Sequence, residues 1–227
     1  MRLFLLPLAL VLAPVVNAQE KADPVKAALA STMGQIGAKQ PDAALRTIDA
    51  VIPGIERSIE EARAKGGVFC AVDMPEALMY AAMADKLNQS STIMDGSTCQ
   101  ALFLRAYLLI DLKRFSEGID ALEKLTALAP RNGQYLAELA FAYRSTGDLD
   151  KARTNYERAI EAGESTTDKK RSARVRALGL RGLGWVLIEQ GDWDGAERAL
   201  RQSLKFEPGH AGAKSELNYI KENRPRK

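Results

Sequence analysis

The residue types that most often carry enzyme chemistry are sparse in this chain. His210 is the only histidine among 227 residues, and it lies in a Pro-Gly-His turn ahead of the last predicted helix. A lone histidine gives no basis for a metal site or for a nucleophile with a histidine base. The carboxylates recur at helical spacing, and the sequence GLRGLG at 179–184 follows no strand that could make it a phosphate loop. We therefore predict a protein that is not an enzyme and holds no metal or cofactor.

The N-terminus predicts an exported protein. Arg2 precedes an apolar run at 3–12, and the sequence Val16-Asn17-Ala18 then offers a cleavage site after Ala18. This is the pattern of a secretory signal peptide. The alternative is an uncleaved anchor, but the apolar run is shorter than the ~20 residues that span a bilayer. We expect export to a bacterial periplasm, not as a lipoprotein, and no transmembrane span after signal removal.

The two cysteines, Cys70 and Cys99, would then lie in an oxidising compartment. A disulfide between them would close a loop of about 30 residues and stabilise the fold by ~3–4 kcal/mol. The alternative is a pair of buried thiols. A redox-active pair is disfavoured because the sequence contains no Cys-x-x-Cys.

The segment 99–210 contains one pattern three times, and this pattern predicts the elements that would position functional residues. The sequences GDLDKARTNYERAI and GDWDGAERALRQSL match, and a period of 34 residues extends the match to units 99–132, 133–166 and 177–210. Small residues occupy the eighth and twentieth places of each unit: Ala106, Ala140, Gly184, Gly118, Ala152 and Ala196. Small side chains at these places let two helices approach closely. We therefore predict three hairpins of helices.

Each hairpin needs a tight turn between its two helices. Gly147 and Gly191 stand where the first helix would end in a left-handed residue, which glycine adopts at low cost. Asp148 and Asp192 follow and can cap the second helix. Lys113 occupies this place in the first unit, so that turn must either strain a side chain or differ.

These units resemble the tetratricopeptide repeat. The resemblance implies an all-α fold, a right-handed superhelix of antiparallel helix hairpins with a divergent helical N-terminal half. Proline at the thirty-second place is present as Pro130 and Pro208, whereas Glu164 departs from the pattern. The carboxylate clamp by which some members hold a peptide C-terminus has no counterpart in the matching positions.

The flanking segments follow the pattern less closely. Region 19–98 is predicted to be a divergent helical region that resembles the tetratricopeptide repeat (TPR) at about 25–58. Region 211–227 is predicted to be a capping helix with a basic tail. Between 59 and 98 no register fits, because Pro75 would fall inside a helix. Instead, DMPE at 73–76 predicts a capping box that opens a helix reaching roughly Asn88. Ten extra residues before the third unit should lengthen its first helix, with Ser165, Thr166 or Thr167 as the N-cap.

The resemblance also predicts where a ligand would bind, because the first helix of each repeat lines the concave surface in this family. Four aromatic residues fall at equivalent positions: Tyr107, Phe141, Trp185 and Tyr219. Polar and apolar side chains surround them at the other inner positions: Gln100, Phe103, Ile110, Gln134, Arg144, Arg181 and Glu189. This stripe predicts a peptide-binding groove with apolar anchors. The alternative is that the stripe packs within the protein.

A run of cations precedes the third unit: Lys169, Lys170, Arg171, Arg174, Arg176 and Arg181. The run contains no acidic residue, so it could contact an anionic protein face, lipid headgroups or a glycan. The alternative is a solvated helix face. The net charge of the whole chain is only +3, which does not indicate a nucleic-acid partner.

Together these features predict an exported interaction module or assembly scaffold that binds a protein or peptide in its concave groove. One alternative is a structural or self-associating subunit whose groove is filled by its own N-terminal half. Another is an adaptor to cell wall or membrane surface through the basic run 169–181.

Overall fold

The computed structural model describes residues 23–225, so the predicted signal peptide lies outside the described part. Eleven helices and two strands follow one another in that part. Their bounds are α1 Pro24–Gly37, α2 Pro41–Asp49, α3 Ile52–Arg63, β1 Gly67–Phe69, α4 Met74–Asp85, β2 Ser91–Ile93, α5 Gly96–Asp111, α6 Phe115–Leu128, α7 Gly133–Ser145, α8 Leu149–Glu164, α9 Lys169–Glu189, α10 Trp193–Phe206 and α11 Ala211–Asn223. None of these helices is long and apolar enough to cross a membrane. The predicted all-α class is confirmed, with two strands of three residues as a small departure.

The small residues predicted at helix crossings are buried. Ala106 and Ala140 have no exposed surface, and α5–α6, α7–α8 and α9–α10 form successive antiparallel hairpins. Gly184 lies where a Cβ atom would approach Cγ of Leu200 on α10 to 2.7 Å. At this crossing α9 and α10 lie so close together that any residue larger than glycine would force Leu200 to move.

The turns within the hairpins have the predicted left-handed residue. Gly147 and Gly191 have φ of 85° and 80°, and Lys113 adopts φ of 62° despite its side chain. The following Asp148 accepts a hydrogen bond from the Lys151 amide at 3.1 Å, which caps α8. The first repeat thus keeps the turn geometry and places a lysine in a conformation that costs about 1–2 kcal/mol.

Helix α9 is 21 residues long, since the extra residues extend it at its N-terminus as predicted. Its N-cap is Asp168, which accepts hydrogen bonds from the amides of Lys170 and Arg171. The predicted caps Ser165, Thr166 and Thr167 were wrong. Ser165 instead ends α8, because its hydroxyl donates to carbonyls of that helix.

The N-terminal half packs on the first repeat. The hairpin α1–α2 and helix α3 share a hydrophobic cluster with α5 that includes Ile48, Ile55 and Leu109. Each of these side chains is at least nine-tenths buried. The amphipathic faces of the divergent helices therefore close the N-terminal end of the stack.

Region 59–98 is not wholly helical, which corrects the prediction for that segment. Strands β1 and β2 pair in parallel, with Val68 opposite Thr92. Parallel strands need a crossover connection, and α4 supplies it. The predicted capping box is present in altered form: Asp73 accepts from the Glu76 amide at 2.9 Å, while the Glu76 carboxylate accepts from Val72. The helix ends at Asp85, three residues before Asn88, which has φ of 53°.

The predicted disulfide is present. Cys70 and Cys99 are bonded and both are buried. Cys70 directly follows β1, and its amide donates to the Leu128 carbonyl at the end of α6. The bond therefore fixes the strand pair and its crossover helix to the first repeat.

Candidate functional site

The centre of the candidate site lies on α7 and α9. We call the concave surface formed by α5, α7, α9 and α11 the inner groove. Arg144 and Phe141 of α7 face Trp185 of α9, and the Arg144 guanidinium carbon lies 4.4 Å from the Trp185 ring centroid and 5.6 Å from that of Phe141. Trp185 remains 40% exposed. Such stacking of a guanidinium on an indole holds both side chains in place and leaves the other face of the cluster accessible.

Arg144 is incompletely satisfied. Its Nε atom is buried and has no hydrogen-bond acceptor within residues 23–225. The cluster borders a cleft of about 260 Å³ that is lined by residues of α7 to α11 and by His210. The Nε atom itself is not accessible to a ligand, but the Arg144 side chain is only partly buried, so the terminal N–H groups of its guanidinium can donate to an oxygen atom of a ligand.

The sequence analysis missed one carboxylate that lines the cleft, Glu138, and one that lies near Arg144, Glu216. Burial raises the pKa of Glu138 on α7. Burial likewise raises the pKa of Glu216 on α11, and the nearby Arg144 charge opposes this rise. Glu138 occupies a repeat position that was not among the predicted inner residues, and Glu216 lies on the capping helix. The position of Glu216 depends on how α11 packs against the last repeat, which the sequence pattern does not predict.

One further predicted groove residue, Arg181, belongs to the same cleft, together with Tyr156, which was not predicted. Arg181 lines it and forms an ion pair with Glu207, and the two side chains are mostly buried. Tyr156 of α8 reaches it from the second layer of helices, and burial raises the pKa of its hydroxyl to about 12. Glu189, at the exposed end of α9, adds to this rise through its charge.

The first repeat contributes a separate aromatic cluster. Phe103 of α5 stacks on Tyr135 of α7 with ring centroids 4.9 Å apart, and Tyr107 lies 6.4 Å from Phe103. Tyr107 is 42% exposed, whereas Tyr135 is buried. The sequence analysis missed Tyr135 because it lies between the two places, those of Gln134 and Ala137, at which the family lines its groove. Gln134, its neighbour, accepts a hydrogen bond from Arg174, and Gln100 is exposed.

Tyr219 lies apart from these clusters. Its ring stacks on Trp193 at the start of α10, with centroids 6.2 Å apart. The described part of the chain shows no aromatic contact between Tyr219 and Tyr107, Phe141 or Trp185. The stripe is therefore divided into two clusters and an outlying tyrosine. Only Tyr107, Trp185 and Tyr219 of the four are exposed.

The basic run is partly neutralised by carboxylates from elsewhere in the chain. Arg171 pairs with Asp73 of the α4 N-cap, and Arg181 pairs with Glu207. Arg176 pairs with Glu164 at 3.2 Å and stacks on Phe206 at 4.4 Å. The exposed cations that remain are Lys169, Lys170 and Arg174. Although the run itself contains no acidic residue, carboxylates from other parts of the chain pair with three of its six cations in the folded protein.

The N-terminal half touches the inner groove only at its edge. Besides the ion pair to Arg171, the amide of Arg131 donates to the Tyr80 hydroxyl at 3.2 Å. These contacts place the start of α4 beside the first turns of α7 and α9, around a cavity of about 430 Å³. Tyr107 and Trp185 stay exposed, so the described N-terminal residues do not fill the groove over them.

Comparisons with known proteins agree with this architecture. Two sequence profiles described as tetratricopeptide repeat match residues 133–206 and 100–132. No curated protein matches the chain in sequence. A crystal structure of nearly identical TPR-like repeats from a Podosopora anserina putative kinesin light chain has TM-score 0.59 at 14% identity, covering 88% of this chain and 86% of that one. A crystal structure of MamA protein has TM-score 0.56 at 16% identity, covering 88% and 81%. At such identities the likeness concerns the fold, and with the profiles it shows that this chain contains tetratricopeptide repeats.

Proposed function

We propose that this protein is an exported protein-interaction module that holds a segment of a partner protein in the inner groove. The partner segment inserts an apolar side chain against Trp185 and Phe141 and presents an oxygen acceptor to Arg144. The protein acts by binding and positioning its partner rather than by chemical catalysis.

The observation that carries this proposal is the environment of Arg144. Its partly buried guanidinium stacks on a half-exposed tryptophan, at the edge of a cleft wide enough for one side chain. Tryptophan, tyrosine and arginine are the residue types most enriched in interface hot spots. Tyr107 lies in the same groove on α5, one hairpin before Phe141 on α7. An extended segment of the partner could therefore contact both aromatic clusters.

Two alternatives have less support. A groove filled by the N-terminal half would cover Trp185 and Tyr107, and both remain exposed. An adaptor that acts through the basic run would need unpaired cations, and three of its arginines pair with carboxylates. Measuring partner binding at increasing salt concentration distinguishes this last alternative from binding in the groove, since a contact between exposed charges weakens steeply with ionic strength.

The test is affinity purification from the periplasm of the source bacterium with tagged protein. Arg144→Gln should reduce partner recovery at least tenfold, because it removes the charge and shortens the stacked side chain. Arg153→Gln is the matched control, since Arg153 lies exposed on α8 and pairs only with Glu157. Trp185→Ala should also abolish recovery, although the buried part of its ring means that this variant loses stability as well.

Equal recovery by the wild type and Arg144→Gln would refute the proposal. Equal unfolding temperatures of Arg144→Gln and Arg153→Gln would show that a loss of recovery reflects the groove and not the fold. Cleavage after Ala18, measured by the mass of the secreted chain, tests the exported location separately.

A further inference from the structure

One charged side chain of the cleft beside Trp185 has no partner within the described chain. Glu138 of α7 lines this cleft. Burial alone raises its pKa, so no cation and no hydrogen-bond donor of residues 23–225 compensates its charge. Glu138 is only partly buried, and unlike Nε of Arg144 its carboxylate is open to the cleft. A carboxylate withdrawn from water in this way costs free energy until a cation joins it.

The other charged groups of the cleft and its edge already have partners. Arg181 pairs with Glu207, and both side chains are mostly buried. Burial raises the pKa of Glu216 and the charge of Arg144 opposes this rise, so these two groups offset each other. Glu138 is therefore the carboxylate of this site that is left without a counter-charge.

The uncharged polar groups of the cleft do not supply that counter-charge. Nδ1 of His210 accepts a hydrogen bond from the Ala213 amide, so this nitrogen carries no proton and the ring is neutral. Burial raises the pKa of the Tyr156 hydroxyl to about 12, Arg144 opposes this rise and Glu138 adds to it. The hydroxyl is thus neutral and close enough to Glu138 to be affected by its charge. A cation that binds the carboxylate can also donate to the hydroxyl oxygen.

The remaining walls of the cleft are apolar. They are formed by Ala137, Phe141, Leu178, Leu200 and Ala213. A lysine side chain matches such a site, because its aliphatic stem packs on apolar surface and its ammonium is a compact charge. A guanidinium would gain most by stacking on an aromatic face, and Arg144 already stacks on Phe141 and Trp185.

We propose that the cleft receives a lysine side chain of the partner segment, whose ammonium is bound by the Glu138 carboxylate and the Tyr156 hydroxyl. This inference rests on the proposed function, since it identifies a second side chain of the segment held in the inner groove. The apolar side chain of that segment then lies on the exposed part of Trp185, at the edge of the cleft. The inner groove accordingly selects segments in which a lysine accompanies an apolar residue.

Selection of random peptides displayed on phage, with the exported full chain as the target, tests the proposal. The wild type should enrich peptides that have a lysine at one fixed place. Glu138→Gln should enrich peptides without a lysine at that place. Glu161→Gln is the matched control, because Glu161 is an exposed carboxylate on α8 that does not line the cleft. It should enrich the same peptides as the wild type, and circular dichroism should show equal helix content in all three proteins.

A synthetic copy of an enriched peptide measures the contact itself. Replacing its lysine with norleucine keeps an aliphatic stem and removes the ammonium. This change should weaken binding to the wild type at least tenfold, because it leaves the Glu138 carboxylate in the cleft without its cation. The same change should weaken binding to Glu138→Gln less than twofold, since the ammonium has no carboxylate to lose there.

The outcomes distinguish this inference from the proposed function. Enriched peptides that require Arg144 but carry arginine or an apolar residue in place of lysine would overturn the inference alone. Equal weakening by norleucine in the wild type and Glu138→Gln would do the same. If no peptides are enriched, or if Arg144→Gln binds the enriched peptides as tightly as the wild type, both proposals are wrong.

Discussion

Replacing Gly182 with alanine should destabilise the protein although alanine is the better helix former. Gly182 lies on α9 against α8, where an added Cβ atom would overlap the ring of Tyr156. That ring is only 4% exposed, so it has little room to move. Helix propensity favours alanine by about 1 kcal/mol. Overpacking of a close contact costs up to about 3 kcal/mol. We expect a net loss of about 2 kcal/mol in the free energy of unfolding.

Gly34→Ala provides the matched control for this prediction. Gly34 is also helical, on α1, but an added Cβ atom would meet nothing within 4 Å. Without a clash only the propensity term remains, so this variant should gain about 0.5–1 kcal/mol.

The assay is thermal unfolding followed by circular dichroism. In a domain of this size 1 kcal/mol shifts the unfolding temperature by roughly 2–4 °C, so Gly182→Ala should melt about 4–8 °C below the wild type. If Gly182→Ala is as stable as Gly34→Ala, then α8 and α9 do not pack at the distance described. The close stacking on which the cleft depends would then also be wrong.

Three further outcomes follow from single features of the structure. Replacing Cys70 and Cys99 together with alanine should lower the free energy of unfolding by about 3–4 kcal/mol in urea titrations, because the long loop is no longer closed. Lys113→Gly should raise it by about 1 kcal/mol by relieving the left-handed lysine, whereas Gly147→Ala should lower it by about 1 kcal/mol. Glu138→Gln should raise the unfolding temperature at pH 7, because burial raises the pKa of Glu138 and penalises its ionised form in the folded state. This gain should vanish as the pH falls below the ordinary glutamate range near 4.3, where folded and unfolded chains both hold the proton. A gain that stays constant with pH would contradict this explanation.

The repeat architecture was predictable from the sequence because its determinants are local and periodic. Ala106 and Ala140 mark helix crossings that recur every 34 residues, and Gly147 and Gly191 mark turns whose backbone favours glycine. Each of these residues acts on neighbours within its own hairpin or the next one. Their types and spacing are therefore sufficient to predict helices, turns and packing without knowledge of the rest of the chain.

The environment of the functional residues was less predictable because it depends on contacts between distant segments. Arg171 was predicted to belong to an uncompensated basic run, yet it pairs with Asp73, which is 98 residues away in the chain. Glu216 reaches the surroundings of Arg144 only because α11 closes the last hairpin. No periodic signal marks such pairs, since each occurs once.

The same reasoning explains why the inner groove and helix α4 differ in how freely their residues can change. Residues of the groove come from equivalent places in successive repeats, so a change in partner can arise by substitution at those places while the core positions stay fixed. Helix α4 interrupts the repeat, and its contacts with Arg131 and Arg171 hold the N-terminal half to the repeats, so substitution there affects the packing of the two halves rather than the choice of partner.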